Sequence, residues 1–384
     1  MKIISNVLVL LVSCLLGLLL GEAAIRFAAP QLLYRFPQGM FVPAPHRDYK
    51  LAPNFTGVSK TADFKTTIVT NSLGLREGRE LGRKSDDTFR ILSIGDSFAM
   101  AVGVDADDSY ARLLERALKD SISGRRVEVV NAGVPGYNTR QEGAYLVDEG
   151  LALQPDLLLL QFYVGNDIID NHWEPRVKAI DGYLASGAAP AGTLPPQVRS
   201  FLERNSQLYA FVWPLVRTMR DPGYRAERQR LAERFLSVYK TDETDDLKKM
   251  WATTRAQLGA MSAIAKERGI PLAVVVIPDP IQVDAEKWSR TLRGTGGVSG
   301  DLDRAKPSRR IAEFCADLGV PVVDLLPVFE KASPGEPTYL HLDGHWTRRG
   351  NAIAADAMRD LLVRAHLLEG ATRTAGAVGG GERK

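Results

Sequence analysis

Five short, nearly uninterrupted apolar runs set the strongest limit on how this chain can fold. They are Arg90–Ile94, Val127–Val130, Leu157–Phe162, Ile270–Ile277 and Val320–Leu325. The run Leu157-Leu158-Leu159-Leu160-Gln161-Phe162 has no period-two alternation, so both faces of that strand must be covered. Segments of helical spacing separate the runs. Ser109–Leu118 puts Tyr110, Leu113, Leu114 and Leu118 on one face, and Asp245–Arg268 is a long helical pattern. Strands that alternate with helices pair in parallel, and such sheets carry ligands outside the carboxyl ends of their strands.

This pattern predicts a flavodoxin-like three-layer α/β/α sandwich built on a five-stranded parallel sheet. Further segments frame it. Residues 1–30 hold an apolar stretch from Ile3 to Gly21, long enough to span a hydrocarbon core. Three readings fit that stretch: an uncleaved membrane anchor, a signal peptide cut after Gly21-Glu22-Ala23, or a lipoprotein signal ending Leu11-Val12-Ser13-Cys14. Leu15–Leu20 continue the apolar run past Cys14, which favours the anchor. In each case the bulk of the chain is expected on the periplasmic or extracytoplasmic face. Residues 31–88 read as an N-terminal extension on the core, with Thr70–Arg76 as a turn between short strands, and 89–365 as the main domain. Residues 171–240 read as a cap inserted between the third and fourth strands, over the site edge, with a Pro/Gly/Ala-rich loop (Gly187–Pro196) and an aromatic segment, Leu208–Leu215. The tail 366–384 has the composition of a disordered segment.

Charge narrows the partners. The chain is near balance at +3 and has no block of Lys or Arg, so nothing points to nucleic acid. The two cysteines, Cys14 and Cys315, exclude a cysteine-ligated zinc, and no metal or cofactor is expected.

The chemistry lies at the strand ends. Gly95-Asp96-Ser97 follows the first strand, where a strand-to-helix turn would project a hydroxyl and leave backbone N–H groups free. Alone, the triplet is equally well explained by a turn in which Gly permits the bend and Asp or Ser caps a helix. Three more blocks accompany it. Asn131-Ala132-Gly133-Val134-Pro135-Gly136 ends the second strand, and Gly165-Asn166-Asp167 ends the third. His341-Leu342-Asp343-Gly344-His345-Trp346 precedes a helix from Arg348 to about Leu362, with Thr347 as its cap. All four fall at one edge of the expected sheet.

Their order and placement over residues 88–365 resemble the SGNH/GDSL hydrolases. The resemblance implies Ser97 as nucleophile, His345 as general base and Asp343 as the residue orienting the imidazole. It also implies an oxyanion hole from the Ser97 and Gly136 N–H groups and the Asn166 amide. Gly133 is a second candidate donor, though Gly136, beside Tyr137-Asn138-Thr139, fits the family position better. Many members space acid and base as Asp-x-x-His. The shorter Asp343-Gly344-His345 is similar to exported, membrane-anchored members that resemble polysaccharide O-acetylation and deacetylation proteins. The function so implied is a serine esterase acting on an O-acyl ester, an acetyl on an envelope or extracellular glycan. An O-acetyltransferase with the same triad and a non-catalytic glycan-binding scaffold are the alternatives. Asp96 and Asp167 read as turn-bonding residues, His46, His172 and His366 as surface residues, and His341 as a candidate lining the cleft.

Overall fold

The computed structural model describes residues 2–173, 177–186, 194–294 and 301–369. Its centre is a parallel sheet of β1 (Thr88–Gly95), β2 (Arg126–Gly133), β3 (Leu157–Tyr163), β4 (Leu272–Ile277) and β5 (Val322–Asp324), in the order β2-β1-β3-β4-β5. Alternate side chains feed two cores. Leu92, Ile94, Leu158, Leu160, Val274 and Val276 pack against helices Thr139–Asp148, Asp245–Glu267 and Lys306–Asp317. Ile91, Val129, Leu159 and Val275 pack on the other face against Tyr110–Ala117 and Arg348–Arg364. Covering both faces is what the unbroken apolar runs require, and it produces the three-layer sandwich.

The edges of the runs give way to local chemistry. β4 begins at Leu272 because Pro271 has no N–H to place in the ladder. β5 keeps three residues, since Asp324 Oδ1 accepts from Leu326 N at 2.9 Å and turns the chain into helix Leu326–Ala332. After β1 the chain does not enter a regular helix at once. A single turn forms, with Met100 N donating to Asp96 O at 3.0 Å, and Ala101 at φ 62° then breaks it. The next helix starts at Tyr110, capped by Ser109. This turn lies so low on the sheet that a Cβ at Gly133 would come within 2.1 Å of Met100 N, so only glycine fits there.

The N-terminal helix Lys2–Ala28 carries no charged residue between Lys2 and Glu22, and residues 3–20 are all exposed. It is long and apolar enough to cross a membrane. Gly21 and Glu22 meet the body of the protein, Gly21 beside the Leu208 side chain. Glu22 accepts from Ser206 Oγ at 2.9 Å and from Gln207 N and Leu208 N at 3.0 Å each, capping helix Gln207–Arg220. After this helix come two hairpins, Phe41–Ala44 with Asp48–Leu51 and Thr56–Lys60 with Lys65–Val69. Thr70–Arg76 therefore leads out of the second hairpin toward β1 and does not join two strands of one ladder.

Between β3 and β4 the chain forms a hairpin, Val177–Ile180 with Tyr183–Ser186, and helices Pro196–Asn205, Gln207–Arg220 and Pro222–Ser237. The hairpin reaches the site edge. The aromatic segment Leu208–Leu215 does not; it lies on the helix that packs against the N-terminal one. Most of the Gly187–Pro196 loop and the tail from 370 lie outside the described residues.

Beneath the carboxyl edge sits a group of buried acids. Glu142, on helix Thr139–Asp148, is fully buried and neither carboxyl oxygen has a partner among the described residues. Burial first, and then the neighbouring Asp96, pushes its pKa well above the ordinary carboxyl value. Burial likewise raises Asp96 to about 7, and raises Asp167, which also faces Glu142 and Asp96. Native Glu142 therefore holds a proton that the unfolded chain releases. Its contribution to stability is full below the unfolded value of 4.5 and is lost as pH rises through the folded one. Urea unfolding of the detergent-solubilised protein from pH 5 to 8 should show Glu142→Gln losing less stability with rising pH than wild type, by up to about 1.4 kcal/mol per pH unit. Parallel pH profiles would contradict the protonated carboxyl.

Candidate active site

The ends of β1, β2 and β3 and the loop before helix Arg348–Arg364 meet at one edge of the sheet. There they enclose a cleft of about 390 Å³ whose lining includes Ser97, Gly136, Asn166, Asp343 and His345. Ser97 Oγ lies 2.7 Å from His345 Nε2, and His345 Nδ1 bonds Asp343 Oδ1. The close spacing of Asp343 and His345 works because Gly344 takes φ +81°, a left-handed conformation that folds one side chain back toward the other. Leu340 N donates to His345 O at 2.7 Å and closes the loop. The imidazole is buried against Phe98, ring centroids 4.7 Å apart.

Neither the Ser97 nor the Gly136 N–H has an acceptor among the described residues, so both can serve an incoming anion. Gly136 takes φ +78°, and its loop is held by Tyr49, whose hydroxyl donates to Pro135 O at 2.9 Å. Gly133 does not serve as a donor to the cleft. Its N–H is used by Asn131 Oδ1 at 3.0 Å, and its role is the close approach to the Ser97 turn. The Asn166 amide bonds Asp170, while Asn166 Oδ1 is buried without a partner. A half-turn about the last torsion, which is two-fold in character, would exchange the amide ends. Asp170, pushed by burial up to about 6, can carry the proton that such an exchange needs.

Of the remaining sequence candidates, Asp96 accepts from Phe98 N at 2.8 Å and Asp167 from Tyr163 N at 2.8 Å, both as turn bonds. His341 is exposed and outside the cleft lining. His46 and His366 sit on the surface beside Asp148 and Glu369. His172 is half-buried, its ring edge-on to Trp173.

The N-terminal extension supplies residues that local pattern did not mark. Arg35 Nη1 donates to Asp343 Oδ2 at 2.9 Å. Asp63 Oδ2 accepts from Leu342 N at 2.6 Å and Asp343 N at 2.7 Å. The buried Arg76 guanidinium donates to Met100 O at 2.6 Å and to Ala101 O and Val104 O at 2.5 Å, bracing the broken turn behind Ser97. These partners lie 24 to 308 residues away in sequence, so no short motif records them.

A model of the GDSL-like lipase/acylhydrolase family matches residues 93–353, a span that begins within β1 and contains Ser97, Gly136, Asn166, Asp343 and His345. The chain belongs to the GDSL-like lipase/acylhydrolase family. Its chemistry is accordingly that of an ester-hydrolysing enzyme. Several solved structures are similar. One is TesA, at 15% identity over 71% of this chain and 97% of that one, TM-score 0.39. Another is the acetyl xylan esterase AlAXEase, at 15% identity over 71% and 98%, TM-score 0.39. A third is a putative lipolytic protein of the G-D-S-L family from Desulfitobacterium hafniense DCB-2, at 13% identity over 71% and 99%, TM-score 0.38. No curated protein matches the acylhydrolase.

Electrostatics set the protonation of the Ser97–His345–Asp343 chain. Burial holds the His345 pKa below its ordinary value. The Asp343 hydrogen bond opposes that shift, and the Arg35 charge adds to it. Asp343 is held low despite burial, by His345 and Arg35. The neutral imidazole with an ionised carboxylate is thus the resting pair near neutrality. Replacing Arg35 by Gln removes a positive charge facing the imidazole, so the His345 titration should move upward. Histidine-labelled protein followed by NMR across pH 4 to 8 would show it, and an unmoved or lowered midpoint would refute the assignment.

Proposed function

We propose that this acylhydrolase is a membrane-anchored serine esterase that removes a short acyl group, an acetyl, from a hydroxyl of an envelope or extracellular polysaccharide. The carrying observation is the continuous hydrogen-bonded chain from Asp343 through His345 to Ser97, open to the cleft.

In this reading Ser97 Oγ attacks the ester carbonyl while His345 Nε2 takes its proton. Asp343 holds the tautomer and stabilises the imidazolium. The carbonyl oxygen, now an anion, is met by the Ser97 and Gly136 N–H groups and by the Asn166 amide. Collapse of the adduct breaks the bond to the alcohol, which leaves with the proton from His345. Water then attacks the acyl-serine with His345 again as base, and the acid departs as Ser97 regains its proton.

The size and walls of the cleft support a short acyl group. Phe36, Tyr49, Val177 and Leu184 form its apolar side, and Arg35 and Asp170 stand on its polar side, suited to a hydroxyl-bearing alcohol. The polysaccharide rests on the sequence resemblance to exported polysaccharide-acetylation proteins. The retained anchor is supported by Glu22: cleavage after Ala23 would remove the carboxylate that caps helix Gln207–Arg220.

A fluorophosphonate should label wild type and not Ser97→Ala, and p-nitrophenyl acetate should be hydrolysed faster than its long-chain counterparts. Equal rates in wild type and a folded Ser97→Ala would sink the serine mechanism, and a preference for long chains would sink the acetyl assignment. Asn166→Ala should lower kcat by about 10²–10³-fold, the size of a lost oxyanion donor. Asp343→Asn should lower it by about 10⁴-fold through the wrong imidazole tautomer. Near-normal kcat in either variant would remove that residue from the mechanism.

A further inference from the structure

Among the helices between β3 and β4, Pro196–Asn205 and Gln207–Arg220 carry large apolar side chains that are exposed. On helix Gln207–Arg220, residues Leu208, Val212, Leu215 and Met219 recur at intervals of four, three and four, which is one stripe of an α-helix. Leu208 begins the stripe in contact with Gly21 of the N-terminal helix. Beyond it the stripe is exposed: Leu215 is 51% and Met219 71% exposed. Phe201 on the preceding helix is 60% exposed, and Phe27, near the end of the N-terminal helix, 87%. Large apolar side chains grouped in this way mark a surface that meets something apolar.

The charge in the same segment is net positive. Residues 196–237 contain eight arginines, no lysine and four acidic residues, a net +4 that exceeds the +3 of the whole chain. Arg220, Arg225, Arg228 and Arg230 are exposed. Tyr209 and Trp213 stack at 5.7 Å on the same helix, the amphipathic rings favoured at a membrane–water boundary.

We propose that helices Pro196–Asn205, Gln207–Arg220 and Pro222–Ser237 form a second membrane contact. The stripe Val212-Leu215-Met219 lies in the interface of the bilayer and the arginines rest on anionic phospholipid headgroups. The inference rests on reading the N-terminal helix as a span, and the continuity between the two identifies the occupant. Residues 3–20 of that helix are all exposed, the less exposed part begins at Gly21, and Glu22 fixes the start of helix Gln207–Arg220 at that height. The contact also reaches the cleft. Arg204 lies over the Tyr183 ring at 4.1 Å, and the next residue, Leu184, lines the site while its N–H is held by the Tyr34 hydroxyl at 2.8 Å. Docking of these helices therefore fixes the cleft wall relative to the bilayer.

The test uses the full chain, with Cys14→Ser, in nanodiscs containing phosphatidylglycerol. Nitroxide labels are placed through Leu215→Cys and Met219→Cys, with Val363→Cys as an exposed control on the C-terminal helix and Leu11→Cys in the N-terminal helix. Collisions with lipid-dissolved oxygen and with a water-soluble nickel chelate are compared. The oxygen-to-nickel ratio at Leu215 and Met219 should exceed the Val363 value several-fold. It should fall in pure phosphatidylcholine discs and in an Arg220→Glu, Arg225→Glu, Arg228→Glu variant. Labels at 215 and 219 as open to nickel as the control, with Leu11 still in lipid, would overturn the second contact and leave the anchor intact. Immobilised labels reached by neither reagent would overturn it in favour of a protein partner. A Leu11 label open to nickel would instead defeat the anchor reading itself.

Discussion

The Asp343 carboxylate is the point on which the site depends. Its side chain is fully shielded from water, yet it is ionised, a state a buried carboxylate holds only when paired and hydrogen-bonded. One oxygen serves the His345 imidazole and the other the Arg35 guanidinium, while Asp63 accepts from its backbone N–H. Two distant residues of the extension, Arg35 and Asp63, thus converge with the neighbouring His345 on one group. Removing any of them would leave a buried charge or donor unmatched, a loss larger than the net value of the bond itself. The imidazole inherits its tautomer, and through it the serine its partner, from this arrangement.

Support for the site is unequally shared between the sheet and the N-terminal extension. The sheet delivers Ser97, Gly136 and Asn166 to one edge because each follows a strand of the same parallel ladder. It does not fix the loops after those strands. Arg76 holds the broken turn behind Ser97, Tyr49 holds the Gly136 loop, and Arg35 with Asp63 holds the Asp343 loop. The extension acts as a clamp across the mouth of the sandwich, and it is also part of the core, to which it contributes Met40, Phe41, Tyr49, Leu51, Ile68 and Leu75.

This division explains what could be read in advance. The five strands and the main helices are carried by local periodicity, and Ser97, His345, Asp343, Gly136 and Asn166 sit in short blocks beside them. The structure brings those five residues to one cleft. Arg35, Asp63 and Arg76 had no such signal, because an arginine in a polar loop looks the same whether it is solvated or anchors a turn 24 residues away. The single broken turn after Ser97 had no signal for a related reason: it is held by Arg76 and by the close approach to Gly133, while the helix that follows lies at Tyr110–Ala117, within the expected Ser109–Leu118. The aromatic segment was legible as apolar, but its neighbour, the N-terminal helix, was set by tertiary packing alone.

The clamp begins very near the end of the N-terminal helix. Ala28 closes that helix and Arg35 already bonds Asp343, seven residues later. Even fully extended, a segment of that length reaches only about 25 Å. On the anchored reading, the reacting serine works at a fixed and low altitude above the lipid. For the polysaccharide substrate proposed above, a polymer far out in the envelope would be out of range, and a nascent chain emerging at the bilayer, or one lying along it, would be within range. Encounter then becomes a two-dimensional search, in which the surface density of the substrate matters more than its bulk concentration.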